Sequence, residues 1–319
     1  MASETIASSA RRRISIQRAS MTMGRSADIV RQFGVTQCHG IRILWTLTRG
    51  PSCMGGAGCA ILGMHLSNGI GAVGILRAIT IVSIVSAIIA GANVVNDIVD
   101  ADLDRMDKPE RAIPSGECSL RTAWLLAWLF TVGGCVLAFS IVPMAGIVAT
   151  AASILAWLYS FQLKATVLLG NIVVATLDAY CVAYGAIWTG GLRPPIVMVA
   201  VMVFFFCLVY LVLLTIRDRA SDGAADVRTV ATILSERASI LVFRGLAVIC
   251  IALSLSPWVF GWFSNVYLGA ILVTSTLPLI TAMCILDSGD MYRRMPTAIG
   301  ILRLAWFPGM AALALAPSV

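Results

Sequence analysis

The chain has 319 residues, of which 59% are hydrophobic and 12% are charged, and its formal net charge is +7. Its mean hydropathy is +0.91. A soluble domain carries about 25% charged residues, so this composition excludes an ordinary soluble enzyme. Apolar residues also occur in runs of about 20, which is the length that one helix needs to cross a bilayer. The chain is therefore predicted to be a polytopic membrane protein.

Nine apolar segments have the length of membrane helices, and none shows the two-residue alternation of a barrel strand. Residues 1–40 are rich in serine and arginine and are predicted to be a disordered basic tail, attracted to anionic headgroups. A mitochondrial transit peptide has the same composition and is the alternative. Residues 41–319 form the membrane domain, an all-α fold with predicted helices at 51–68, 76–97, 121–140, 142–161, 166–189, 194–216, 238–257, 264–286 and 297–315.

Lysines and arginines are concentrated on one side of this topology. They fill the tail before the first helix and the loops that follow helices two, four, six and eight, whereas the other side keeps only Arg77 and Arg193. Arg303 falls inside the last helix, one to two turns from its predicted start. An excess of basic residues marks the cytoplasmic side, so we expect a cytoplasmic N-terminus, in the bacterial inner membrane or alternatively an organellar membrane. This bias explains the net charge and gives no evidence for nucleic-acid binding.

The first concentration of acidic residues follows the second helix. Asp97, Asp100 and Asp104 are spaced by three and four residues, so a helix places them on one face, and Asn96 lies on or near the same stripe. Like charges one turn apart repel, and a hard divalent cation offsets that repulsion. Magnesium in particular prefers carboxylate oxygens shared with substrate phosphates.

A second pair, Asp218 and Asp222, follows the sixth helix on the same side of the membrane. Two carboxylate faces opposed across a cavity are expected to hold metal ions that bridge a diphosphate. Ordinary surface acids on solvated loops are the alternative. An ion-coupled transporter is another, but its ionisable groups should lie in the middle of the membrane, whereas these crowd the interface.

Basic residues near both clusters complete a candidate diphosphate site, because a metal ion together with Arg or Lys stabilises a departing phosphate. Each basic residue taken alone is also explained as a signal for membrane orientation or as a contact with lipid headgroups. Tyr159 precedes one of them at the end of the fourth helix. The basic candidates are Arg49, Lys108, Arg111, Lys164, Arg219 and Arg228.

These motifs resemble those of the UbiA superfamily of intramembrane prenyltransferases. The first runs Asn96-Asp97-x-x-Asp100-x-x-x-Asp104 and continues at 111–116 as Arg-Ala-Ile-Pro-Ser-Gly; the second is Asp218-x-x-x-Asp222, followed by Arg-Thr at 228–229. The segment Leu-Tyr-Ser-Phe-Gln-Leu-Lys at 158–164 and Gly-Asn at 170–171 stand between them. The motif sequences are most similar to those of the digeranylgeranylglyceryl phosphate synthase branch, and the resemblance covers about residues 41–315.

The resemblance implies a nine-helix bundle around a central cavity, Mg²⁺ between the two motifs, and a polyprenyl diphosphate whose tail points toward lipid. It implies that Arg49, Arg111 and Lys164 hold the diphosphate and that Tyr159 lies near the reacting carbon. Arg219 and Arg228 are added as binding candidates and Asp97 as a metal candidate. The implied metal ligands are Asn96, Asp100, Asp104, Asp218 and Asp222.

Two positions depart from the ether-lipid pattern around the second motif, namely Thr215, where many relatives have Asp, and Asp226, where they have Gly. For this reason an aromatic or heteroaromatic acceptor is the first expectation, in meroterpenoid or quinone biosynthesis. A glycerol-phosphate lipid acceptor and an acceptor-free terpene cyclase are the alternatives. We expect no required protein partner.

Asp178 is the clear acid inside a predicted span, seven residues after Asn171 in the fifth helix. A carboxyl at that depth is expensive unless it faces a cavity or a partner. We predict that Asp178 holds or deprotonates an acceptor that carries an N–H or O–H group. The alternative is that a neighbouring helix keeps the Asp178 carboxyl group neutral and that this residue has a structural role.

Overall fold

The computed structural model describes residues 40–69, 74–224, 227–287 and 290–315. The predicted basic tail, except for residue 40, and Asp226 lie outside these ranges. The described chain is helical almost throughout. Its helices are α1 Gly50–Asn68, α2 Ile75–Val99, α3 Ala101–Asp107, α4 Leu120–Phe139, α5 Pro143–Leu158, α6 Leu169–Ile187, α7 Pro194–Arg217, α8 Arg219–Ala224, α9 Val230–Ile233, α10 Glu236–Val259, α11 Asn265–Ile271, α12 Leu277–Asp287 and α13 Met291–Leu313.

The nine predicted membrane helices are present, since α11 and α12 are joined by a π-helical turn at Leu272–Thr276 into one span. Within the described residues, eight of the nine are long and apolar enough to cross a membrane by length and composition. The other, α1, is less apolar because it contains several glycines and His65. Large apolar side chains such as Leu76, Leu125 and Leu304 are exposed on the outer surface, as lipid contact requires.

Most helix ends agree with the predicted ends to within three residues, but α13 begins at Met291 rather than at residue 297. The side chain of Asp290 caps this helix by accepting a hydrogen bond from the Arg293 amide. Pro296 lies inside the helix instead of before it, because membrane helices tolerate proline where neighbouring groups satisfy the freed backbone carbonyl. Arg303 is consequently more than three turns from the helix start.

Six of the membrane helices form a closed ring of contacts. Helix α1 contacts α2, α2 contacts α5, α5 contacts α6, α6 contacts α7, α7 contacts α13, and α13 contacts α1. Helix α4 packs against α2 and α5, and α10 packs against α7. The space inside this ring holds the candidate site.

Two glycines allow α1 and α6 to approach backbone to backbone. A Cβ atom on Gly63 would lie 2.0 Å from the Val182 carbonyl oxygen, and one on Gly185 would lie 2.1 Å from the Ala60 carbonyl oxygen. Small residues at such contacts are the usual means of close helix packing in membranes. This contact fixes α6, which carries Asp178, against the helix that follows Arg49.

Candidate active site

A cavity of about 490 Å³ lies inside the ring, within the range of small-molecule sites. Its wall is mostly apolar and aromatic, with polar side chains concentrated at one end. Tyr180 and Tyr184 of α6 and Phe206 and Tyr210 of α7 are among the aromatic residues that line it. The polar lining residues are Arg49, Ser52, Asn93, Asn96, Tyr159, Ser160, Asp178, Tyr180, Tyr184, Tyr210 and Arg303.

The first aspartate motif lies where α2 ends and α3 begins. Asp100 is the residue between the two helices, yet the backbone hydrogen-bond spacing continues through it. Its amide donates to the Asn96 carbonyl at 2.9 Å, and the Asp104 amide donates to the Asp100 carbonyl at 2.8 Å. The predicted stacking of these side chains on one face is therefore retained across the junction.

Three cations from distant parts of the chain surround this motif. Arg49 Nη2 lies 2.6 Å from Asn96 Oδ1 and 2.6 Å from Asp97 Oδ1. Arg111 forms ion pairs with Asp104 and, at 3.4 Å, with Asp97. Lys164 forms an ion pair with Asp100. The acids are largely buried, with side-chain exposures of 4% to 12%, whereas the cations are 29% to 38% exposed.

The backbone of Arg49 holds a conformation that is rare for any residue except glycine. Its φ is +49°, and it is the one non-glycine residue with positive φ among those described. A left-handed conformation costs an L-residue about 1–2 kcal/mol, and such strain clusters at functional sites. Here it occurs immediately before α1, at the residue whose side chain reaches the first motif.

A π-helical turn, Tyr159–Leu163, ends the α5 span, with the Lys164 amide donating to the Tyr159 carbonyl at 2.9 Å. The wider turn shifts the register of the following side chains, and such turns are frequent at functional sites. Tyr159 lines the cavity while Lys164 reaches Asp100. The segment 158–164 therefore supplies two residues of the site, Tyr159 in the cavity wall and Lys164 at the first aspartate motif.

The second aspartate motif has the same backbone arrangement at the junction of α7 and α8. The Asp218 amide donates to the Leu214 carbonyl at 3.0 Å, and the Asp222 amide donates to the Asp218 carbonyl at 2.9 Å. Asp218 pairs with its neighbour Arg217 through two bonds of 2.6 and 2.8 Å, and its side chain is 39% exposed. Thr215, one turn before it, accepts a hydrogen bond from Asn171 at 3.1 Å.

The structure brings the predicted site residues together only in part. Asn96, Arg49 and Tyr159 line the cavity. The other predicted site residues near the two motifs are not among the lining residues, namely Asp97, Asp100, Asp104, Arg111, Lys164, Asp218 and Asp222. Arg111 and Lys164 instead pair with the acids that follow Asn96. Arg219 and Arg228 are not among the lining residues, although Arg219 Nη1 is buried without a hydrogen-bond partner in the described chain. Within the same ranges, no three acidic, histidine or cysteine side chains form a preformed metal cluster. The ion pairs explain this, because each first-motif carboxylate is drawn toward a cation.

Asp178 lines the cavity, as its position in the sequence predicts. Its Oδ2 accepts a hydrogen bond from the Cys207 thiol of α7 at 2.7 Å. The cavity is also lined by three residues of α13 that the sequence analysis did not predict as site residues, Arg303, Trp306 and Phe307. The sequence pattern that could have indicated them is an arginine inside a predicted span, Arg303, followed one turn later by two aromatic residues.

Comparison with known proteins decides the family. The model of the UbiA prenyltransferase family matches residues 57–307, most of the chain. The chain belongs to the UbiA prenyltransferase family. It is therefore a prenyltransferase and a multi-pass integral membrane protein.

Among its relatives is a digeranylgeranylglyceryl phosphate synthase of Methanoculleus marisnigri, 31% identical over 245 residues, which cover 73% of this chain and 84% of the relative. That of Methanopyrus kandleri is 34% identical over 184 residues, covering 56% of this chain and 67% of the relative. A UbiA homologue of Archaeoglobus fulgidus, solved with GPP and Mg²⁺, has a similar fold with a TM-score of 0.66 and 17% identity, covering 85% of this chain and 99% of that one.

A second solved structure, described as one of digeranylgeranylglyceryl phosphate synthase in membranes, has a TM-score of 0.71 at 23% identity. It covers 86% of this chain and 98% of that one. At these identities the structures support the fold. The sequence relatives bear on the choice of acceptor.

Proposed function

We propose that this enzyme transfers a prenyl group from a polyprenyl diphosphate to the hydroxyl group of a glycerol-phosphate lipid. The donor is supported by Arg49, which lines a largely apolar cavity next to Asn96, and by Arg111 and Lys164, which pair with acids of the same motif. The acceptor is supported by the relatives, which are digeranylgeranylglyceryl phosphate synthases. An aromatic acceptor, our first expectation from the sequence, has no such support, and neither has a role in quinone or meroterpenoid biosynthesis.

Arg49, Arg111 and Lys164 bind the diphosphate in this proposal. Each is already drawn to the site by a carboxylate and is about one-third exposed, so each has donors left for phosphate oxygens. Arginine in particular can bind a phosphate with two parallel N–H groups. Asp97, which contacts both arginines, holds them in place before the substrate arrives.

The residues present fit a magnesium ion by their donor chemistry. Asn96, Asp100 and Asp104 offer amide and carboxylate oxygens at one helix junction, and Asp218 and Asp222 offer more at the other; oxygen donors of this kind suit Mg²⁺. When bound, the ion neutralises charge on the departing diphosphate. Mg²⁺ was present in a solved UbiA homologue, which supports the same requirement here.

The reaction exchanges one carbon–oxygen bond for another. The bond between the allylic C1 and the diphosphate breaks, and its electron pair leaves with the diphosphate, stabilised by Arg49, Arg111 and Lys164. The acceptor oxygen then forms the new bond to C1. Tyr159 lies in the cavity wall beside the polar end, where its electron-rich ring face attracts a developing cation. The apolar remainder of the wall excludes water from that cation.

The orientation proposed from the basic loops stays a prediction, with the diphosphate end at the cytoplasmic face. The relatives named above are archaeal, so they give no support to a bacterial inner membrane. A multi-pass topology in an archaeal-type lipid pathway accords with the proposed acceptor.

The decisive experiment supplies purified full-length protein in nanodiscs with Mg²⁺ and radiolabelled geranylgeranyl diphosphate. A geranylgeranylglyceryl phosphate, a hydrophobic phenol, or no acceptor is added in parallel. We expect a labelled ether lipid with the glycerol-phosphate acceptor alone. Transfer to the phenol would instead favour an aromatic acceptor. A labelled hydrocarbon without acceptor would indicate a cyclase, and uptake into liposomes without chemistry would indicate a transporter.

A further inference from the structure

Two oppositely charged side chains line the cavity near the middle of their helices, deeper than the helix ends that carry the two aspartate motifs. Asp178 is the tenth of the 19 residues of α6, and Arg303 is the thirteenth of the 23 residues of α13. With a rise of 1.5 Å per residue, they stand about 14 and 18 Å along their helices from the first residue. Both line the cavity.

Neither charge is compensated by a charge of the protein within the described residues. Asp178 has the Cys207 thiol as its hydrogen-bond partner, and none of the ion pairs includes Asp178 or Arg303. An ionisable side chain inside a membrane span is costly unless it serves a cavity or a partner. Two such side chains of opposite sign that do not pair with each other are available to a ligand.

Helix α7 lies beside both charges. It contacts α6, which carries Asp178, and α13, which carries Arg303. The Cys207 thiol of α7 donates a hydrogen bond to Asp178, and Tyr210, about one turn further along α7, lines the same cavity as Arg303. Both charges are therefore open to one ligand in this cavity.

The donor cannot be the ligand of these charges. Its diphosphate is served by Arg49, Arg111 and Lys164 at the polar end, and its prenyl tail has no polar atom for either residue. The complementary molecule carries an anion for Arg303 and a hydroxyl hydrogen for Asp178.

We infer that Asp178 and Arg303 form the acceptor subsite, an inference that rests on the proposed function. Arg303 binds the phosphate of the glycerol-phosphate lipid, and Asp178 accepts a hydrogen bond from its free hydroxyl. As the hydroxyl oxygen forms its bond to C1 and the diphosphate leaves with the electron pair, the hydroxyl proton passes to the Asp178 carboxylate. The Cys207 thiol positions that carboxylate by donating to its Oδ2 atom.

The test compares two acceptors that differ in one group, geranylgeranylglyceryl phosphate and its dephosphorylated alcohol, at fixed Mg²⁺ and geranylgeranyl diphosphate. The wild type should prefer the phosphorylated acceptor in kcat/KM. Arg303→Gln should raise the KM for the phosphorylated acceptor at least about tenfold and remove the preference, with the donor KM unchanged. Arg303→Lys should restore part of it. Asp178→Asn should lower kcat about 100-fold with little change in either KM.

Arg244→Gln is the matched control, because Arg244 also lies in a membrane helix but pairs with Asp287 and does not line the cavity. It should keep the wild-type preference, and all variants should elute as the wild type does in size-exclusion chromatography. Normal transfer by the wild type with an unchanged preference in Arg303→Gln would overturn the subsite alone. A wild type that uses neither glycerol acceptor would overturn the proposed function and the subsite together. If Arg303→Gln elutes abnormally, binding of the labelled phosphorylated acceptor to Arg303→Lys is measured instead. The subsite inference requires that this binding is weaker than binding to the wild type.

Discussion

At both aspartate motifs a long membrane helix ends at an aspartate and a helix of six or seven residues follows. Around Asp97, Asp100 and Asp104 the tertiary structure supplies three cations, and the carboxylates are at most 12% exposed. Asp218, in contrast, is 39% exposed and pairs with the residue next to it in the chain. The same local sequence pattern thus produces one motif whose three acids pair with cations elsewhere in the chain and one whose first acid, Asp218, pairs with its neighbour.

This difference suggests a division of roles. The first motif is organised before any ligand binds, because its carboxylates are fixed by Arg49, Arg111 and Lys164. At the second motif the Arg217–Asp218 pair is exposed, where such pairs are worth about 0–1 kcal/mol, so Asp218 can exchange this partner for a ligand at little cost. Four experiments, each with its own variants, test this division.

The largest effect is expected on removing the metal. Excess chelator should abolish turnover, and Asp100→Ala and Asp218→Ala should each lower kcat by about 10²–10³-fold, as loss of a charge stabiliser does. Asp102→Ala is the control within the first motif, because that side chain is 91% exposed and pairs only with Arg105 in the described chain. Prenyl transfer measured in excess chelator at the full rate would contradict a metal-bridged diphosphate.

A somewhat smaller effect is expected for Lys164→Ala. Lys164 is proposed to act on the departing diphosphate, so kcat should fall about 100-fold while the acceptor KM changes little. Arg105→Ala, a 59% exposed cation near the same motif, should retain activity. A change confined to the acceptor KM would show that Lys164 has a different role.

Stability should separate the two motifs more clearly than activity. Asp104→Ala removes a carboxylate that is 4% exposed and pairs with Arg111, while Arg111 keeps Asp97 at 3.4 Å. The loss should therefore be about 2 kcal/mol, below the cost of breaking a fully buried pair. Asp218→Ala removes an exposed pair and should cost less than about 1 kcal/mol. The midpoint of thermal unfolding in detergent measures the stability loss of each variant. Equal midpoints for Asp104→Ala and Asp218→Ala would contradict the proposed difference between the two motifs.

The smallest effect is expected for Arg217→Ala. It removes the local partner of Asp218 without touching the cavity, so kcat should stay within about threefold of the wild type, and the Mg²⁺ concentration for half-maximal rate should fall slightly. Arg111→Ala, the corresponding change at the first motif, should reduce kcat far more. Equal losses from these two variants would mean that both motifs depend on their cations in the same way.

The sequence by itself determined the nine helices, because each needs an apolar run of membrane length, and the spacing of the two aspartate motifs, because three- and four-residue steps stack on any helix. It also placed Asp178 inside a span. The sequence pattern misplaced the start of α13, where a proline and two arginines are typical of a loop, and Arg303 was therefore assigned too near the membrane surface.

Only the tertiary structure decided which charges meet. Arg49 and Asp97 are 48 residues apart, and Lys164 and Asp100 are 64 apart, and no local periodicity relates such positions. Their contact depends on how the ring of helices closes, which is set by small residues such as Gly63 and Gly185 at the α1–α6 contact. The same closure brings the middle of α13 to the cavity beside α7, so that Arg303 and Asp178 line the same cavity.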